Sequence, residues 1–275
     1  MAVLAVASAK GAPGASTTAL ALALVWGRPV LLVECDPAGG DLLAGYLAGA
    51  DPPGGGLLGL ALAARHTTLA GGDVSDRALA LDSSGARLVL TAPADAGQLR
   101  PITDAADRLI ELLASLAGPG SGPDVILDVG RLGDTDSARW CRAADLLVLL
   151  VRPTLRGVSA ARSRLAAAGS TAVGGARRGL VLGGDGPYRE REISQALALP
   201  VFGAIAHDRV AAGVLCGERT AGRTFDRSPL MRSARSLTQV LLKQATARPG
   251  SPDSAGGPAE DDGGTARDSL AGQTA

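Results

Sequence analysis

The 275-residue chain has few aromatic residues, few cysteines and no long apolar run, and each shortage excludes a class of protein. Aromatic residues make up only 2% of the chain, so its core must be built from small and branched aliphatic side chains. The three cysteines lie far apart without metal-binding or disulfide spacing, which excludes a disulfide scaffold and favours a reducing, cytoplasmic setting. No run of about 18 apolar residues is available to cross a bilayer, so we expect no integral membrane segment.

Charge is balanced over the whole chain but unevenly distributed along it. Residues 1–151 carry 10 basic and 16 acidic groups, whereas residues 152–247 carry 15 basic and 6 acidic groups. The basic portion can face DNA phosphates or an acidic partner, and ordinary solvated arginines are the alternative explanation. Residues 248–275 are rich in Gly, Ser and Pro with a net negative charge, which predicts a disordered acidic tail.

Strand-like apolar runs alternate with longer helical patterns through the rest of the chain. This alternation predicts one α/β domain over residues 1–247, a three-layer sandwich with a mostly parallel central sheet. Ligands of such folds bind at the carboxyl ends of the strands. The predicted strands are Val3–Ser8, Pro29–Glu34, Arg87–Thr91, Asp124–Asp128, Asp145–Val151, Gly179–Leu182 and Val201–Ala206. The predicted helices include Thr17–Trp26, Ile102–Leu116, Gly157–Ala168, Arg189–Leu197 and Pro229–Ala245.

The segment between the first strand and the first helix carries the strongest functional signal. From Ser8 to Thr18 it reads Ser-Ala-Lys-Gly-Ala-Pro-Gly-Ala-Ser-Thr-Thr. A strand, a glycine loop and a helix in this order allow backbone N–H groups and a helix N-terminus to surround a phosphate. A standard P-loop has a lysine directly before its Ser or Thr, where it reaches the β- and γ-phosphates, but this chain has Ala15 there.

A lysine is nevertheless present, ahead of the first glycine of the loop. Only Lys10 and Lys243 among the 27 basic residues are lysines, and the others are arginines. A compact ammonium group fits against phosphate in a crowded loop better than a forked guanidinium group. We therefore predict a functional role for Lys10, with a chance surface lysine as the alternative.

Carboxylates follow two further strands at the same predicted edge of the sheet. In the segment Glu34–Asp41, Asp36 can orient or deprotonate a water molecule and Asp41 can support a metal shell. The fourth predicted strand ends at Asp128, which suits a phosphate-bound Mg²⁺ through a water ligand, while Ser16 offers its hydroxyl directly. Ordinary turn and capping roles are the alternatives for these carboxylates.

These elements, in this order, resemble the MinD/ParA family of P-loop ATPases, which have a deviant Walker A motif. The family loop reads Lys-Gly-Gly-x-Gly-Lys-Thr-Thr, and residues 10–17 read Lys-Gly-Ala-Pro-Gly-Ala-Ser-Thr. The family's Asp-x-Asp-Pro motif is matched by Glu34-Cys35-Asp36-Pro37, and its Leu-Pro-Val-Leu-Gly-x-Ile strand by residues 199–205. The resemblance spans about residues 1–243.

The resemblance implies a P-loop NTPase-like fold with ATP and Mg²⁺ as ligands, and a homodimer that forms on ATP binding. In that dimer Lys10 reaches the nucleotide of the partner. Combined with the arguments above, it predicts catalytic roles for Lys10 and Asp36, and metal binding by Ser16, by Asp128 through water, and by Asp41. The predicted nucleotide-binding residues are Lys10, Gly11, Ala12, Pro13, Gly14, Ala15, Ser16 and Thr17.

Ala15 predicts weak binding and slow or absent hydrolysis. The missing lysine removes a charge-assisted hydrogen bond, which costs ~1.5–3 kcal/mol of binding free energy. Hydrolysis loses more, because stabilisation of the transferring charge is the main catalytic contribution. Whether the protein is an ATPase in practice is therefore left open by the sequence.

The expected function is nucleotide-switched positioning of a cellular complex by a cytoplasmic protein that a partner recruits peripherally to the membrane. The cargo implied by the resemblance is pilus or secretion machinery of the TadZ/CpaE branch, or a division or chromosome partition complex. One alternative is a ParA-like partition protein that associates non-specifically with DNA through residues 152–247. Another is a pseudo-ATPase scaffold that binds no nucleotide.

Overall fold

A computed structural model describes residues 2–10, 14–117, 122–133, 135–168 and 177–246 of the chain. The predicted phosphate-loop residues Gly11, Ala12 and Pro13 lie outside these ranges, and so does the predicted acidic tail 248–275.

The described residues contain eight strands that join in one sheet. Their bounds are β1 (Val3–Ser8), β2 (Val30–Glu34), β3 (Leu79–Ala80), β4 (Arg87–Leu90), β5 (Asp124–Arg131), β6 (Leu146–Val151), β7 (Arg177–Gly183) and β8 (Val201–Ile205). The spatial order is β3-β4-β2-β5-β1-β6-β7-β8. Every neighbouring pair is parallel except β3 with β4, so the two-residue edge strand is the one antiparallel element of this sheet.

Helices cover both faces of the sheet. In the described residues they are α1 (Ala15–Val25), α2 (Gly56–Ala63), α3 (Gly71–Ser75), α4 (Arg100–Leu116), α5 (Thr135–Arg142), α6 (Leu155–Ala168), α7 (Glu190–Leu197), α8 (Arg209–Leu215) and α9 (Pro229–Thr246). Residues of α1, α8 and α9 share one hydrophobic cluster, and residues of α2 to α7 share the other. The predicted three-layer α/β sandwich with a mostly parallel sheet is thus confirmed.

The central strands are mostly apolar because both of their faces are buried. In β1, Val3, Ala5 and Ala7 belong to one cluster, whereas Leu4 and Val6 belong to the other. Alternate side chains of a strand point to opposite faces, so a strand covered on both sides needs apolar residues at every position. This explains why a continuous apolar run, instead of a period of two, marks each strand in the sequence.

A buried carboxylate anchors the end of the sheet that lies away from the glycine loop. Asp124, the first residue of β5, accepts hydrogen bonds from the backbone N–H of Ala2 at 2.9 Å and from the indole N–H of Trp26 at 2.8 Å. It also pairs with the guanidinium group of Arg28 at 2.8 Å. Because Trp26 directly follows α1, these contacts fix the C-terminal end of that helix and aim its N-terminus at the opposite edge.

Candidate functional site

The first turn of α1 stands at the carboxyl edge of the central strands. Gly14 precedes the helix with a φ of 86°, a left-handed conformation that glycine adopts without strain. Its carbonyl oxygen accepts the first helical hydrogen bond from Thr18 N–H at 3.0 Å. Ala15 is buried, and Ser16 and Thr17 are partly exposed in the same turn. The helix therefore begins two residues earlier than predicted, so that Ala15 and Ser16 belong to it.

The hydroxyl group of Ser16 and the carboxylate of Asp128 meet across this edge. They are hydrogen-bonded to each other, and Asp128 also accepts from the backbone N–H of Gly130 at 3.2 Å. Burial raises the pKa of Asp128 to about 7, and the nearby negative charges of Glu34 and Asp36 add to that effect. A cation placed beside Asp128 would strongly stabilise the charged form of this carboxylate.

A local irregularity in β5 brings Asp36 to the same place. The register of β1 against β5 shifts between Val6 and Ala7, and β5 continues to Arg131, three residues beyond the predicted strand. Gly130 follows this shift with a φ of 65°, and a Cβ atom on it would overlap the carboxylate of Asp36. Bulges of this kind redirect side chains next to functional sites.

Glu34 organises the loop that carries the predicted carboxylates. Its Oε1 accepts from the backbone N–H groups of Asp41 at 2.8 Å and Leu42 at 3.0 Å, and its Oε2 accepts from Ala92 N–H at 3.0 Å. Burial raises the pKa of Glu34, and these three hydrogen bonds act in the opposite direction. Sequence analysis treated Glu34 only as a motif position and missed its role in tying the loop after β2 to the end of β4.

The remaining predicted site residues are partly or fully exposed. Asp36 is partly exposed, and its Oδ1 accepts from Ala38 N–H at 2.8 Å. Asp41 is exposed and lines a pocket of about 230 Å³ together with Ser16 and Thr17. Lys10 is exposed just beyond β1. The structure thus brings Ser16, Asp36 and Asp128 together, while the catalytic and metal-binding roles of these three residues, like those of Asp41 and Lys10, stay predictions.

A second pocket, of about 290 Å³, opens on the other side of the first turn of α1. Three strand ends build it, and its lining residues include Gly14, Arg152, Gly183, Gly184, His207 and Asp208. No sequence motif identified this pocket or the contribution of His207 and Asp208 to it. The only available signal was their position directly after β8, where ligand-binding residues of open α/β sheets collect.

The site can therefore hold an anion and a hard cation side by side. The N-terminus of α1 carries a partial positive charge and free N–H groups suited to phosphate. Ser16 and the carboxylates supply the oxygen ligands that Mg²⁺ prefers, and Mg²⁺ sites usually combine one or two carboxylates with substrate phosphates. The residues present fit Mg²⁺ and a phosphate group.

No protein-family model and no curated protein matches the sequence, but solved structures do. A ParA family ATPase from Chlorobium tepidum matches with a TM-score of 0.71 at 20% identity, covering 86% of this chain and 97% of its own. The Pyrococcus furiosus cell division ATPase MinD matches with a TM-score of 0.70 at 17% identity, covering 88% and 99%. The chain has the fold of the ParA and MinD ATPases. The Pyrococcus horikoshii septum site-determining protein MinD, complexed with Mg-ADP, matches with a TM-score of 0.62 at 17% identity, covering 89% and 97%.

These similarities confirm the fold that the sequence motifs predicted. The TadZ/CpaE branch stays a prediction. None of the helices in the described residues combines the length and the hydrophobicity needed to cross a bilayer.

Proposed function

We propose that this protein is a MinD/ParA-type ATPase that binds Mg-ATP at the N-terminus of α1. The observation that carries the proposal is the hydrogen-bonded pair of Ser16 and Asp128, which stands under this helix end beside Asp36. A hydroxyl group at a helix N-terminus and a carboxylate at the end of a neighbouring strand are the two protein groups that a phosphate-bound Mg²⁺ needs. The match to MinD complexed with Mg-ADP supports the same ligands.

We assign each part of the nucleotide to one part of this site. The phosphates would lie against the loop and the first turn of α1, with Ser16 and Asp128 holding Mg²⁺, the latter through water. The pocket beside Arg152 and His207 would take the nucleoside. When bound, Mg²⁺ neutralises phosphate charge, and it would also offset the carboxylate charges around Asp128. Asp36 would orient the water that attacks the γ-phosphate.

Ala15 determines the rate of ATP hydrolysis that we expect. Its side chain is buried and carries no charge, so the site lacks the cation that standard P-loops place on their own nucleotide. Asp36 as a general base can contribute ~10²- to 10⁴-fold, but the lost charge stabilisation is of comparable or larger size. We propose a long-lived ATP-bound dimer that positions a partner complex, a pilus, secretion, division or partition assembly, with slow hydrolysis or none.

Calorimetric titration with Mg-ATP tests this proposal. We expect weak, Mg²⁺-dependent binding by the parent protein and none by Ser16→Ala. Restoring the missing cation with Ala15→Lys should tighten binding by up to ~1.5–3 kcal/mol. If millimolar Mg-ATP produces no heat and no melting shift, nucleotide binding is ruled out and the scaffold alternative is favoured.

Single-turnover assays test the hydrolysis. Asp36→Ala should lower any residual phosphate release, whereas a parent rate of ~1–100 per second would contradict slow hydrolysis.

A second candidate function, non-specific DNA association, is favoured by one surface. Six arginines at the end of the fold formed by α8, the following loop and α9 are all exposed: Arg209, Arg219, Arg223, Arg227, Arg232 and Arg235. Only Asp208, Glu218 and Asp226 oppose them between residues 208 and 235. Such a surface predicts DNA affinity that falls steeply with salt. Fluorescence anisotropy with a random duplex at two salt concentrations tests this, and salt-independent or absent binding contradicts it.

A further inference from the structure

An apolar groove of about 380 Å³ lies between α6 and α7 and shares no lining residue with the two pockets of the candidate nucleotide site. Leu155 at its rim is 69% exposed, more than any other large apolar side chain of the described residues. The groove is lined by Leu155, Val158, Arg162, Tyr188, Ile193 and Ala196, among others. Apolar side chains grouped in an exposed groove mark a place where another apolar group binds.

The charges around this groove favour an acidic ligand. Helix α6 contains three arginines, Arg156, Arg162 and Arg164, and no acidic residue, so it has no negative charge of its own. Arg156 and Arg162 are exposed, and Arg162 reaches across to donate to the carbonyl of Ala196 at 2.9 Å. On the opposite wall, α7 carries Glu190 and Glu192 beside Arg191, and the Glu192 carboxylate accepts a hydrogen bond from the backbone N–H of Arg189 at 2.6 Å. A ligand with one large apolar side chain and several carboxylates suits this combination.

The chain itself contains such a segment, beyond the described residues. Residues 247–275 include one large apolar residue, Leu270, and five acidic residues. Three of these are consecutive, at Glu260–Asp262, and Asp268 lies two positions before the leucine. No other part of residues 247–275 offers an apolar anchor larger than alanine or proline.

The connection is long enough for this segment to reach the groove of its own chain. Arg177, the first residue of β7, donates to the carbonyl of Gln244 at 3.1 Å, so α9 ends beside the start of that strand. Helices α6 and α7 cover the other face of β7, because Ala161 and Ile193 share a cluster with Leu180. Thr246 and Leu270 are 24 residues apart. A flexible chain of that length spans ~25–30 Å on average, enough to pass around the sheet.

We infer that residues 259–270 dock in the α6–α7 groove of the same chain, with Leu270 in the groove and Glu260–Asp262 facing the arginines of α6. One leucine and a few exposed ion pairs bind weakly on their own. Attachment to the same chain supplies an effective concentration of about millimolar, which makes weak docking detectable. The inference does not depend on nucleotide binding.

Hydrogen exchange of the full-length protein without nucleotide tests the docking. Leu270→Ala should make amides in residues 155–162 and 188–196 exchange about three- to tenfold faster than in the parent. The charge-neutralised variant Glu260→Gln/Asp261→Asn/Asp262→Asn should have a smaller effect in the same direction, and Gln273→Ala should have none. These changes all lie outside the residues that form the described strands and helices, so we expect them to leave the stability of the domain unchanged. Unchanged exchange in Leu270→Ala overturns the inference, and so does protection that disappears on dilution, because it would place the segment in another molecule.

A reciprocal measurement follows the segment itself. The methyl resonances of Leu270 should move toward random-coil positions in Leu155→Ala, which alters the exposed rim of the groove. Leu62→Ala is the matched control, because Leu62 is also an exposed helical leucine, at 43%, but lies on α2. Equal methyl shifts in the parent and in Leu155→Ala would contradict docking in this groove.

Discussion

At the scale of single residues, β5 holds two buried aspartates in opposite surroundings. Asp124 is compensated by Arg28 and by the N–H groups of Ala2 and Trp26. Asp128, at the functional end of the strand, has Glu34 and Asp36 as its charged neighbours, and burial with these charges raises its pKa to about 7. Asp124 therefore stabilises the fold, whereas Asp128 destabilises the ligand-free protein until a cation binds beside it.

This contrast predicts the pH dependence of stability. The pKa of Asp128 is about 7 in the folded protein and about 3.9 when unfolded, so the ligand-free protein should lose stability as pH rises between these values. The loss is on the order of 2–4 kcal/mol. Asp128→Asn should remove this slope, be more stable than the parent at pH 8, and lose the Mg²⁺-dependent effect of ATP. Urea unfolding at pH 5 and pH 8 measures both proteins.

The matched control for this experiment is Asp124→Asn on the same strand. It weakens a compensated ion pair and should be less stable than the parent at both pH values, by about 1–3 kcal/mol. If Asp128→Asn is also less stable than the parent at pH 8, the carboxylate of Asp128 is not the destabilising group that its surroundings indicate.

A second prediction concerns the contact between Gly130 and Asp36. Gly130→Ala should destabilise the protein by about 2–4 kcal/mol, because φ is positive at this position and the new methyl group would overlap the carboxylate. In an Asp36→Ala background the overlap is gone, and the cost should fall to about 1–2 kcal/mol. A double-mutant cycle by chemical unfolding measures this coupling. Additive effects would show that the two residues do not touch.

At the scale of elements, the loop after β2 depends on one side chain. Glu34→Ala removes the acceptor for three backbone N–H groups and should destabilise the protein by about 1–3 kcal/mol, since burial of the charge offsets part of the hydrogen bonding. The amides of Asp41, Leu42 and Ala92 should then exchange at least tenfold faster. Glu34→Gln keeps one acceptor oxygen, so its stability and its amide exchange rates should lie between those of the parent and those of Glu34→Ala. Exchange that stays slow in Glu34→Ala would mean that the loop is held elsewhere.

The long helices could be predicted from the sequence, and the helices that were missed are all short. The predicted helix 102–116 differs from α4 by two residues at one end, because its apolar positions repeat over several turns. Helices α2, α3, α5 and α8 have only 8, 5, 8 and 7 residues, which leaves a weak period, although α7, also of eight residues, was predicted as Arg189–Leu197. The edge strand β3 has two residues and pairs only with β4, so tertiary contact alone defines it.

The candidate site also contains residues that the sequence indicates and residues that it does not. Ser16, Asp36 and Asp128 stand out in the sequence because each follows or ends a recognisable strand or loop, and the structure brings them together, while their roles stay predictions. The pocket at Arg152, Gly183 and His207 could not be predicted, because its residues converge from three strand ends with no shared motif. The role of Glu34 as a loop anchor was also beyond prediction, because its partners are backbone groups seven and more residues away.

At the scale of the whole molecule, Lys10 is the residue expected to act between subunits. It is exposed, so Lys10→Ala should change the free energy of unfolding by no more than ~0.5 kcal/mol. The same substitution should abolish dimerisation with a non-hydrolysable ATP analogue, measured by light scattering. Lys243→Ala on α9 is the matched control and should dimerise like the parent. Equal dimer formation by Lys10→Ala would assign the lysine a role within its own subunit.

The Asp124 anchor has a spectroscopic consequence. The chain has two tryptophans, and both are buried, but on opposite faces of the sheet: Trp26 in the cluster with α1 and α9, and Trp140 in the cluster with α4 and α6. Each face therefore carries one intrinsic fluorophore, and the indole N–H of Trp26 is fixed to a charged carboxylate. Two single-tryptophan proteins would emit from the two helical layers separately, so fluorescence can distinguish layers that melt together from layers that melt in sequence.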